Sequence, residues 1–548
     1  MHTIANLMAA LSLLLITCSG PRQGADLILT NGTVYTVDKA FSMAEAIAVK
    51  DHRILAVGST REITEGYRAG QVIDLKGACV YPGWIDAHCH FYGYGMNLNA
   101  VDLTGTGSVE EILEVLEAFR EKNPGSWITG RGWDQNDWEV KEFPDKSVLD
   151  EHFPDTPVLL RRIDGHAAWA NSLALDMAGV TSRSAVEGGT VLLRDGEPTG
   201  ILIDNAISLV ASRIPPPTRE EMARALVQAQ GNCFGVGLTS VYDAGLSCDV
   251  VELIDSLQRS GALKIRMNTW LSPTEDNFTR FVEKGPTRTD YLTINTVKLF
   301  ADGALGSRGA RMIEPYSDDP GNLGLFVTPL EELEENCRRA YANGFAVATH
   351  CIGDAANRET LKIYASILGG KNDRRWRIEH AQVIHPDDFH YFGDFNIIPS
   401  VQTTHATSDM YWAGDRLGPE RLRGAYAYRQ LLEQNGWLPN GSDFPVEQIN
   451  PLFGFYAGVV RKDQQGYPED GFQMENAITR EQALRAMTIW AARSGFEEDL
   501  KGSIEPGKLA DLVVTREDLM SAPDSTLFGI QVQMTFLGGE LVYKADRP

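Results

Sequence analysis

The chain has 548 residues, a length that suits roughly three or four domains of ordinary size or one barrel with insertions. Its residues are 43% hydrophobic and 23% charged, which is the balance of an ordinary globular protein. The formal net charge of −24 argues against nucleic acid or an anionic membrane surface as a partner, because both would repel the chain.

Residues 7–16 form an apolar run that is too short to cross a bilayer and has the length of a signal-peptide core. We therefore expect residues 1–20 to be a signal peptide, with the protein exported to the periplasm or anchored to a membrane. The stretch from Leu15 to Cys18 resembles the lipobox of bacterial lipoproteins, in which Cys18 would carry the lipid. That anchor would be the membrane contact, because no later stretch is apolar enough for a transmembrane helix.

Both ends of the remaining chain have the character of short strands joined by turns. Residues 26–80 contain Asn31-Gly32 and Asp51-His52 where hairpin turns would fall, and residues 500–548 have the same character. The simplest arrangement pairs these two ends into one small β-domain, which flanks a central barrel of residues 81–499.

An insertion is predicted at about residues 91–236, which is far longer than a loop between a strand and a helix needs to be. A capping box of Ser108 with Glu111 begins a helix within it. Trp133, Trp138 and Trp169 of this segment, with Trp412 beyond it, could wall an apolar pocket or simply pack. We interpret the insertion as a cap over the mouth of the barrel.

Apolar strand segments alternate with capped helices through the rest of the central region, which predicts a parallel sheet. Eight segments have this strand character: WIDAHCH, LTSVYDAG, KIRMNTWL, TVKLFADG, FAVATHC, WRIEHAQV, NIIPSVQTTH and WLPNGSDF. A closed parallel barrel of this kind carries its active face at the carboxyl ends of its strands.

Six side chains that could bind metal fall at the ends of these predicted strands: His88, His90, Lys298, His350, His380 and Asp443. Alone, each has an ordinary structural reading: a histidine is more often hydrogen-bonded, a lysine ion-paired, and an aspartate part of a turn. Their joint placement favours metal binding, because chance rarely puts six such residues at strand ends.

A divalent ion held by imidazole and carboxylate lowers the pKa of its water to near 7, which makes hydroxide available at neutral pH. Six ligands suit two ions better than one. Lys298 becomes a ligand if its neutral amine reacts with carbon dioxide, giving a carbamate that can bridge both metals. The ligand set accepts zinc, which we expect, and also iron, manganese or nickel.

The motifs PGWIDAHCH, VKLFADG, ATHCIGDAA, RIEHAQ, GSDFPV and GSIEPGKLADLVV together resemble the amidohydrolase superfamily. RRIDGHAAWANSLAL and SVQTTH indicate its amidohydrolase family 3, which includes N-substituted formamide deformylases. The resemblance implies an α/β fold, with a metal-dependent (β/α)8 TIM barrel and a small β-sandwich built from both chain ends.

The resemblance also implies a role for each candidate ligand. His88 and His90 would bind the first metal, and His350 and His380 the second, with a carbamate on Lys298 between them. Asp443 would be both ligand and proton shuttle. Because the superfamily includes members with a single metal ion, the number of ions bound here, one or two, stays open.

Further polar residues are candidate substrate contacts: Asp164 and His166 in the cap, Arg308 and Arg311 after the fourth strand, and His405 after the seventh. The arginines could instead form loop salt bridges. For His166 and His405, functional and structural readings weigh equally.

The function expected from this sequence is hydrolysis of a carbon–nitrogen bond in a non-peptide amide, of the N-formyl or N-acyl amine type. The same machinery could act on a lactone, an ester or an amidine, because fold does not determine substrate. A binding lipoprotein without catalysis is a third reading. The expected partner is a small molecule, and assembly into a homo-oligomer stays open.

Overall fold

The computed structural model describes residues 22–546 except 99, 123–126, 136–137, 163–166, 187–188, 205 and 307. The predicted signal peptide with Cys18 lies outside the described residues, and so do Asp164 and His166. Within the described part of the chain, no helix is both long and apolar enough to cross a membrane.

The chain divides into two compact units. The first comprises Met1–Cys89, Cys233–Gly245 and Ile265–Pro548, and the second comprises His90–Asn232 and Leu246–Lys264. The second unit overlaps most of the predicted insertion at 91–236. Its role as a cap over the barrel mouth stays a prediction.

A nearly closed parallel barrel lies in the first unit, as the sequence predicts. Its strands follow one another in the sheet in chain order: Trp84–Cys89, Leu238–Leu246, Arg266–Leu271, Leu292–Phe300, Ala346–Cys351, Arg377–His380 and Ile398–Ser400. The strand Arg266–Leu271 is buried at every position, as expected for a parallel sheet covered on both faces. The short strand Thr287–Arg288 pairs antiparallel with the fourth of these strands.

The predicted eighth strand, WLPNGSDF, differs from expectation. It makes one parallel bridge, between Val401 and Asn440, and is otherwise irregular. Pro439 cannot donate a hydrogen bond to a ladder, and Asp443 has a left-handed backbone with φ of 64°. The segment still closes the barrel, because the amide of Ala87 donates to the carbonyl of Asn440 over 3.3 Å.

Helices connect or follow the barrel strands. Those of the first unit are Glu275–Arg280, Leu330–Ala342, Asp354–Leu368, His390–Phe395, Thr403–Asp409, Ala413–Leu422, Tyr428–Asn435, Pro451–Val460, Arg480–Ala486 and Ile489–Ser494. The helix Leu330–Ala342 has Pro329 as its N-cap residue. The barrel interior is filled by Trp270, Tyr242 and small residues such as Ala87 and Ala348.

The chain ends form two further sheets in the first unit, the first of them from N-terminal strands alone. One has the strand order Arg53–Gly58, Ala46–Lys50, Gln23–Thr30 and Tyr67–Asp74, with the helix Thr60–Gly66. The other has the order Glu540–Lys544, Val532–Leu537, Leu512–Thr515, Cys79–Pro82, Thr33–Tyr35 and Met43–Ala44. Leu27 and Ile47 of the first sheet share a buried cluster with Leu512 and Phe536 of the second. The chain ends therefore pack together, while a separate β-sandwich domain stays a prediction.

The second unit has its own mixed sheet. Its strand order is Gly189–Arg194, Glu197–Asp204, Ala167–Ala170, Val158–Arg162, Ile128–Trp133 and Val101–Asp102. Its helices are Phe91–Asn97, Val109–Lys122, Lys146–His152, Ser172–Ala178, Ile207–Ala211, Arg219–Gly235 and Cys248–Ser260. Trp133, Trp138 and Trp169 are buried in one core cluster, which assigns all three to packing.

Candidate active site

The side chains of the candidate site come from the carboxyl ends of barrel strands, where a parallel barrel brings them together. His88 is the penultimate residue of its strand, and so is His350. His380 ends its strand with a left-handed backbone, φ 70°. Asp443 comes from the irregular closing segment.

His88, His380 and Asp443 form the tightest cluster. One ligand atom from each lies within 4.8 Å of the others, and all three side chains are buried. His88 Nε2 lies 3.4 Å from Asp443 Oδ1, and the rings of His88 and His380 have centroids 5.1 Å apart. Two imidazoles and a carboxylate at this separation suit a tetrahedral or octahedral divalent ion.

His350 and Lys298 extend the site. The ring of His350 meets that of His380 edge-on, with centroids 4.6 Å apart. Lys298 is only 1% exposed, and no hydrogen-bond partner for its Nζ is found among the described residues. A buried amine without a partner is costly, so this atom fits a lysine that is modified or bound to metal.

His90 leaves the strand, which ends one residue earlier at Cys89. It is the N-cap residue of the helix Phe91–Asn97, has φ of −120° and ψ of 65°, and belongs to the second compact unit. His88 and His90 therefore do not lie on one strand, and a ligand role for His90 stays a prediction.

Glu379 holds His88 in place, which the sequence did not indicate. Its Oε2 accepts a very short hydrogen bond from His88 Nδ1, and the hydroxyl of Ser400 donates to the same oxygen over 2.8 Å. Arg377 forms a close ion pair with Glu379 Oε1. With Nδ1 donating to Glu379, His88 directs Nε2 toward Asp443, which is the arrangement that metal-binding histidines usually have.

Asp86 connects the first strand to the closing segment. Its carboxylate accepts hydrogen bonds from the Ser442 hydroxyl over 2.6 Å and from the His88 amide over 3.1 Å. The amide of Asp443 in turn donates to the carbonyl of His88 over 2.8 Å. Gly441 allows this approach, because a Cβ there would lie 2.4 Å from His88 N. Backbone and side chain thus fix Asp443 against His88.

Asp302 has a similar supporting position beside His350. It accepts hydrogen bonds from the amides of Arg311, Ile352 and Gly353 over 2.8 to 3.0 Å, and its Oδ1 lies 3.7 Å from His350 Nε2. Burial raises the pKa of Asp302 to about 7, against the opposing effect of these amides. No pattern in the sequence indicates this role for Asp302.

Burial and charge keep the imidazoles neutral. Burial, with the nearby Lys298 charge, lowers the pKa of His88 to about 4 and that of His350 to about 3. Burial also holds the pKa of His380 well below its usual range. The pKa of Lys298 falls to about 8 because burial outweighs the attraction of Glu379. Neutral imidazoles have the lone pair that a metal needs, and part of Lys298 is a neutral amine near pH 8.

His405 also reaches the site. Its ring stacks on that of His380 with centroids 5.7 Å apart, and its Nε2 lies 3.9 Å from Asp443 Oδ2 and 4.0 Å from Glu447 Oε1. Gln402, just before it, has its Oε1 2.7 Å from His380 Nδ1. The sequence-predicted His405 is therefore close to the cluster, while Gln402 and Glu447 were missed.

The two candidate arginines have other partners. Arg308 forms an ion pair with Asp318 at 2.8 Å, and Arg311 donates to the carbonyl of Gly324 over 3.1 Å. Among the contacts described for these two guanidinium groups, none reaches the histidine cluster. A substrate contact by either arginine stays a prediction.

The donor set fits a divalent metal ion. It combines imidazole nitrogens and a carboxylate, which zinc, iron, manganese and nickel sites use, and the buried amine of Lys298 lies without a hydrogen-bond partner among the described residues. Glu379 and Gln402 lie against the far ring nitrogens of His88 and His380, and such outer contacts typically orient metal-binding histidines.

Comparison with known proteins gives three findings. A model of the Amidohydrolase family matches residues 71–543. The chain is 36% identical over 538 residues to Protein LONG AFTER FAR-RED 3 of Arabidopsis thaliana, covering 95% of this chain and 92% of that protein. It is 28% identical over 547 residues to the N-substituted formamide deformylase of Arthrobacter pascens, and the match covers 95% of this chain and 99% of that protein.

The structure resembles that of a metal-dependent hydrolase from Pyrococcus horikoshii OT3. The TM-score is 0.78 at 28% sequence identity, and the match covers 91% of this chain and 99% of the other.

Proposed function

The chain belongs to the amidohydrolase family of metal-dependent hydrolases, and from that premise we propose that it cleaves the carbon–nitrogen bond of a non-peptide amide, of the N-formyl or N-acyl amine type. The 28% identity with an N-substituted formamide deformylase over almost the whole chain supports this bond class. The observation that carries the proposal is the cluster of His88, His380 and Asp443, with ligand atoms within 4.8 Å of one another.

In this proposal, the cluster of His88, His380 and Asp443 belongs to a metal site together with His350 and a carbamate on Lys298, and a ligand role for His90 stays a prediction. A bound ion would supply Lewis acidity toward the amide carbonyl and acidify an attacking water. Glu379 keeps Nδ1 of His88 occupied, so that Nε2 faces the site. Gln402 does the same for His380.

Asp443 is the proposed proton shuttle. As the water oxygen forms its bond to the carbonyl carbon, Asp443 accepts a proton, and it then gives this proton to the nitrogen as the carbon–nitrogen bond breaks. An amine leaves poorly unless protonated, so this transfer matters for an amide. His405 Nε2, 3.9 Å from Asp443 Oδ2, helps to orient the carboxylate. The products are a carboxylic acid and an amine.

A hydrolysis screen tests this proposal. The full-length protein is stripped with a chelator, reloaded separately with zinc, manganese, iron or nickel, and offered N-formyl amines, N-acyl amino acids, cyclic amides, lactones and esters. We expect metal-dependent release of acid and amine from at least one amide. Turnover of lactones or esters alone would move the assignment to those bonds. Stoichiometric metal without any turnover would favour a binding protein.

A matched pair of variants connects the activity to the site. His88→Asn should lose metal and activity together, because it removes one of the three clustered ligands. His390→Asn makes the same change at an exposed histidine and should retain both. If His88→Asn keeps full metal content and rate, the cluster is not the metal site.

Export and lipidation at Cys18 remain part of the proposal. Cell fractionation should place the protein in the periplasm or membrane fraction, and Cys18→Ser should release it from membranes. Unchanged membrane association in that variant would contradict a lipid anchor at Cys18.

A further inference from the structure

A cavity of about 270 Å³ has in its wall Glu447, whose Oε1 lies 4.0 Å from Nε2 of His405, the residue whose ring stacks on that of His380. The helix Thr403–Asp409 lines it together with the loop after Asp443 and the start of the helix Pro451–Val460. Its volume suits a small organic group, since whole drug-sized ligands occupy about 300 to 1,000 Å³. The wall includes the aromatic rings of Phe453 and Tyr456, which can cover methylene groups.

Glu447 directs a carboxylate toward the edge of this cavity that is nearest the cluster. Its Oε1 lies 4.0 Å from His405 Nε2 and accepts a hydrogen bond from the Ser408 hydroxyl over 2.6 Å. In the described part of the chain, Ser408 is the hydrogen-bond donor found for Glu447. A carboxylate has about four acceptor positions, so Glu447 can accept more donors than this one.

Thr404 also lines this cavity, and its hydroxyl is buried at the wall. Its side chain is 8% exposed, and among the described residues no partner is found for its Oγ1. Burying a hydroxyl without a hydrogen bond is costly, so this atom indicates a ligand that donates a hydrogen bond there or accepts one.

The other charged groups of the cavity wall are already paired. The ammonium of Lys462 makes a very short hydrogen bond to the carbonyl of Glu469. Asp463 accepts hydrogen bonds from the Tyr411 hydroxyl and from the amides of Gln465 and Tyr467, the last two over 2.8 and 2.9 Å. Glu447, whose carboxylate approaches His405, favours a positively charged ligand at this end of the cavity.

We propose that this cavity is a substrate subsite in which Glu447 and the hydroxyl of Thr404 bind an ammonium group, so that the preferred substrates are N-formyl or N-acyl derivatives of short diamines. The inference rests on the proposed amide hydrolysis and names its substrate class. A primary ammonium has three donors, which match the two acceptors here and one water molecule.

The spacing sets the length of the substrate. Asp443 Oδ2 and Glu447 Oε1 both lie about 4 Å from His405 Nε2, so they are at most about 8 Å apart. An amide placed at Asp443 and an ammonium placed at Glu447 must therefore be joined by a short linker. A linker of three methylenes gives a compound of suitable size for the first test.

The test compares two amides of equal length, N-(3-aminopropyl)formamide and N-butylformamide, which differ in having an ammonium or a methyl group at the far end. With metal-loaded wild-type protein, we expect kcat/KM for the cationic amide to be about tenfold higher, as one charge-assisted hydrogen bond provides. Glu447→Gln should remove this preference, and Thr404→Val, which keeps the side-chain shape, should reduce it. The same Glu→Gln change at exposed Glu433, which pairs with Arg429, should leave the preference intact.

Direct binding separates this inference from the proposed reaction. Calorimetry with 1,3-diaminopropane should show binding to the metal-loaded wild-type protein and to Glu433→Gln, with at least tenfold weaker binding to Glu447→Gln. Hydrolysis of both amides with equal kcat/KM would overturn the subsite and leave the proposed function standing. Failure of both amides to react, with Glu447-dependent binding of the diamine, would overturn the function and support the subsite.

Discussion

Replacing Glu379 by Gln should weaken both the fold and metal binding, and the two effects can be measured separately. Glu379 is fully buried between Arg377, Ser400 and the Nδ1 of His88. Removing one partner of a buried ion pair typically costs about 3 to 5 kcal/mol of stability. Arg377 retains hydrogen bonds to Ser400 and Ser494 and lies over the ring of Trp270, so we expect about 3 kcal/mol.

The effect on metal should be specific to this glutamate. Loss of the contact that orients a metal-binding histidine typically lowers affinity about 10- to 100-fold. The control is Glu497→Gln, because Glu497 is also buried and paired, with Lys501 at 3.0 Å and with the Tyr242 hydroxyl at 2.7 Å. Urea unfolding of stripped protein gives the stability, and zinc titration gives the affinity. If Glu379→Gln and Glu497→Gln lose equal affinity, Glu379 supports the fold and does not orient His88.

Lys298→Ala should lower metal content and activity together, because it removes the proposed carbamate ligand, and acetate or formate should restore part of both. Full metal and full rate in this variant would remove Lys298 from the site. Asp443→Asn should lower kcat on an amide at least ~100-fold, the lower end of what acid–base catalysis supplies, with a smaller loss on an activated ester. Equal losses accompanied by loss of metal would make Asp443 mainly a ligand. Gly441→Ala should destabilise the protein by about 2 kcal/mol in urea unfolding, because its Cβ would meet the backbone of His88 at 2.4 Å. Gly66→Ala, where no atom lies within 4 Å of the added carbon, should be close to neutral.

The barrel and the positions of three candidate ligands could be predicted because both depend on regular strand geometry. Apolar runs separated by capped helices indicate parallel strands, and parallel strands bring their carboxyl ends together. His88, His350 and Lys298 lie within such strands, so their positions follow from the pattern alone. Membership of the amidohydrolase family, indicated by the joint motifs, is confirmed over residues 71–543.

The supporting residues could not be predicted, because they depend on backbone conformations that a pattern does not reveal. Strand alternation would place Glu379 and His380 on opposite faces. The left-handed backbone at His380, φ 70°, departs from that alternation, and both residues contact His88. Asp86 did have a signal, since it precedes His88 by two residues and an alternating strand presents both on one face.

The prediction of a regular eighth strand in the closing segment is also not met. WLPNGSDF has the apolar character of a strand, but Pro439 and the left-handed Asp443 limit it to a single bridge. Contacts far apart in the chain replace the missing ladder, including Ser442 to Asp86 at 2.6 Å. Such contacts have no local sequence signature, because they exist only after the barrel has formed.

The barrel is irregular at one place, where the closing segment meets the first strand. The candidate ligands lie on both sides of this junction. His88 belongs to the first strand and Asp443 to the closing segment. An ion bound by both would therefore cross-link the two ends of the sheet. Stabilisation of this kind grows with the logarithm of metal concentration. Scarcity of metal would then remove this cross-link and lower the free energy of unfolding. The supply of the ion would therefore affect the lifetime of the folded protein as well as its rate of reaction.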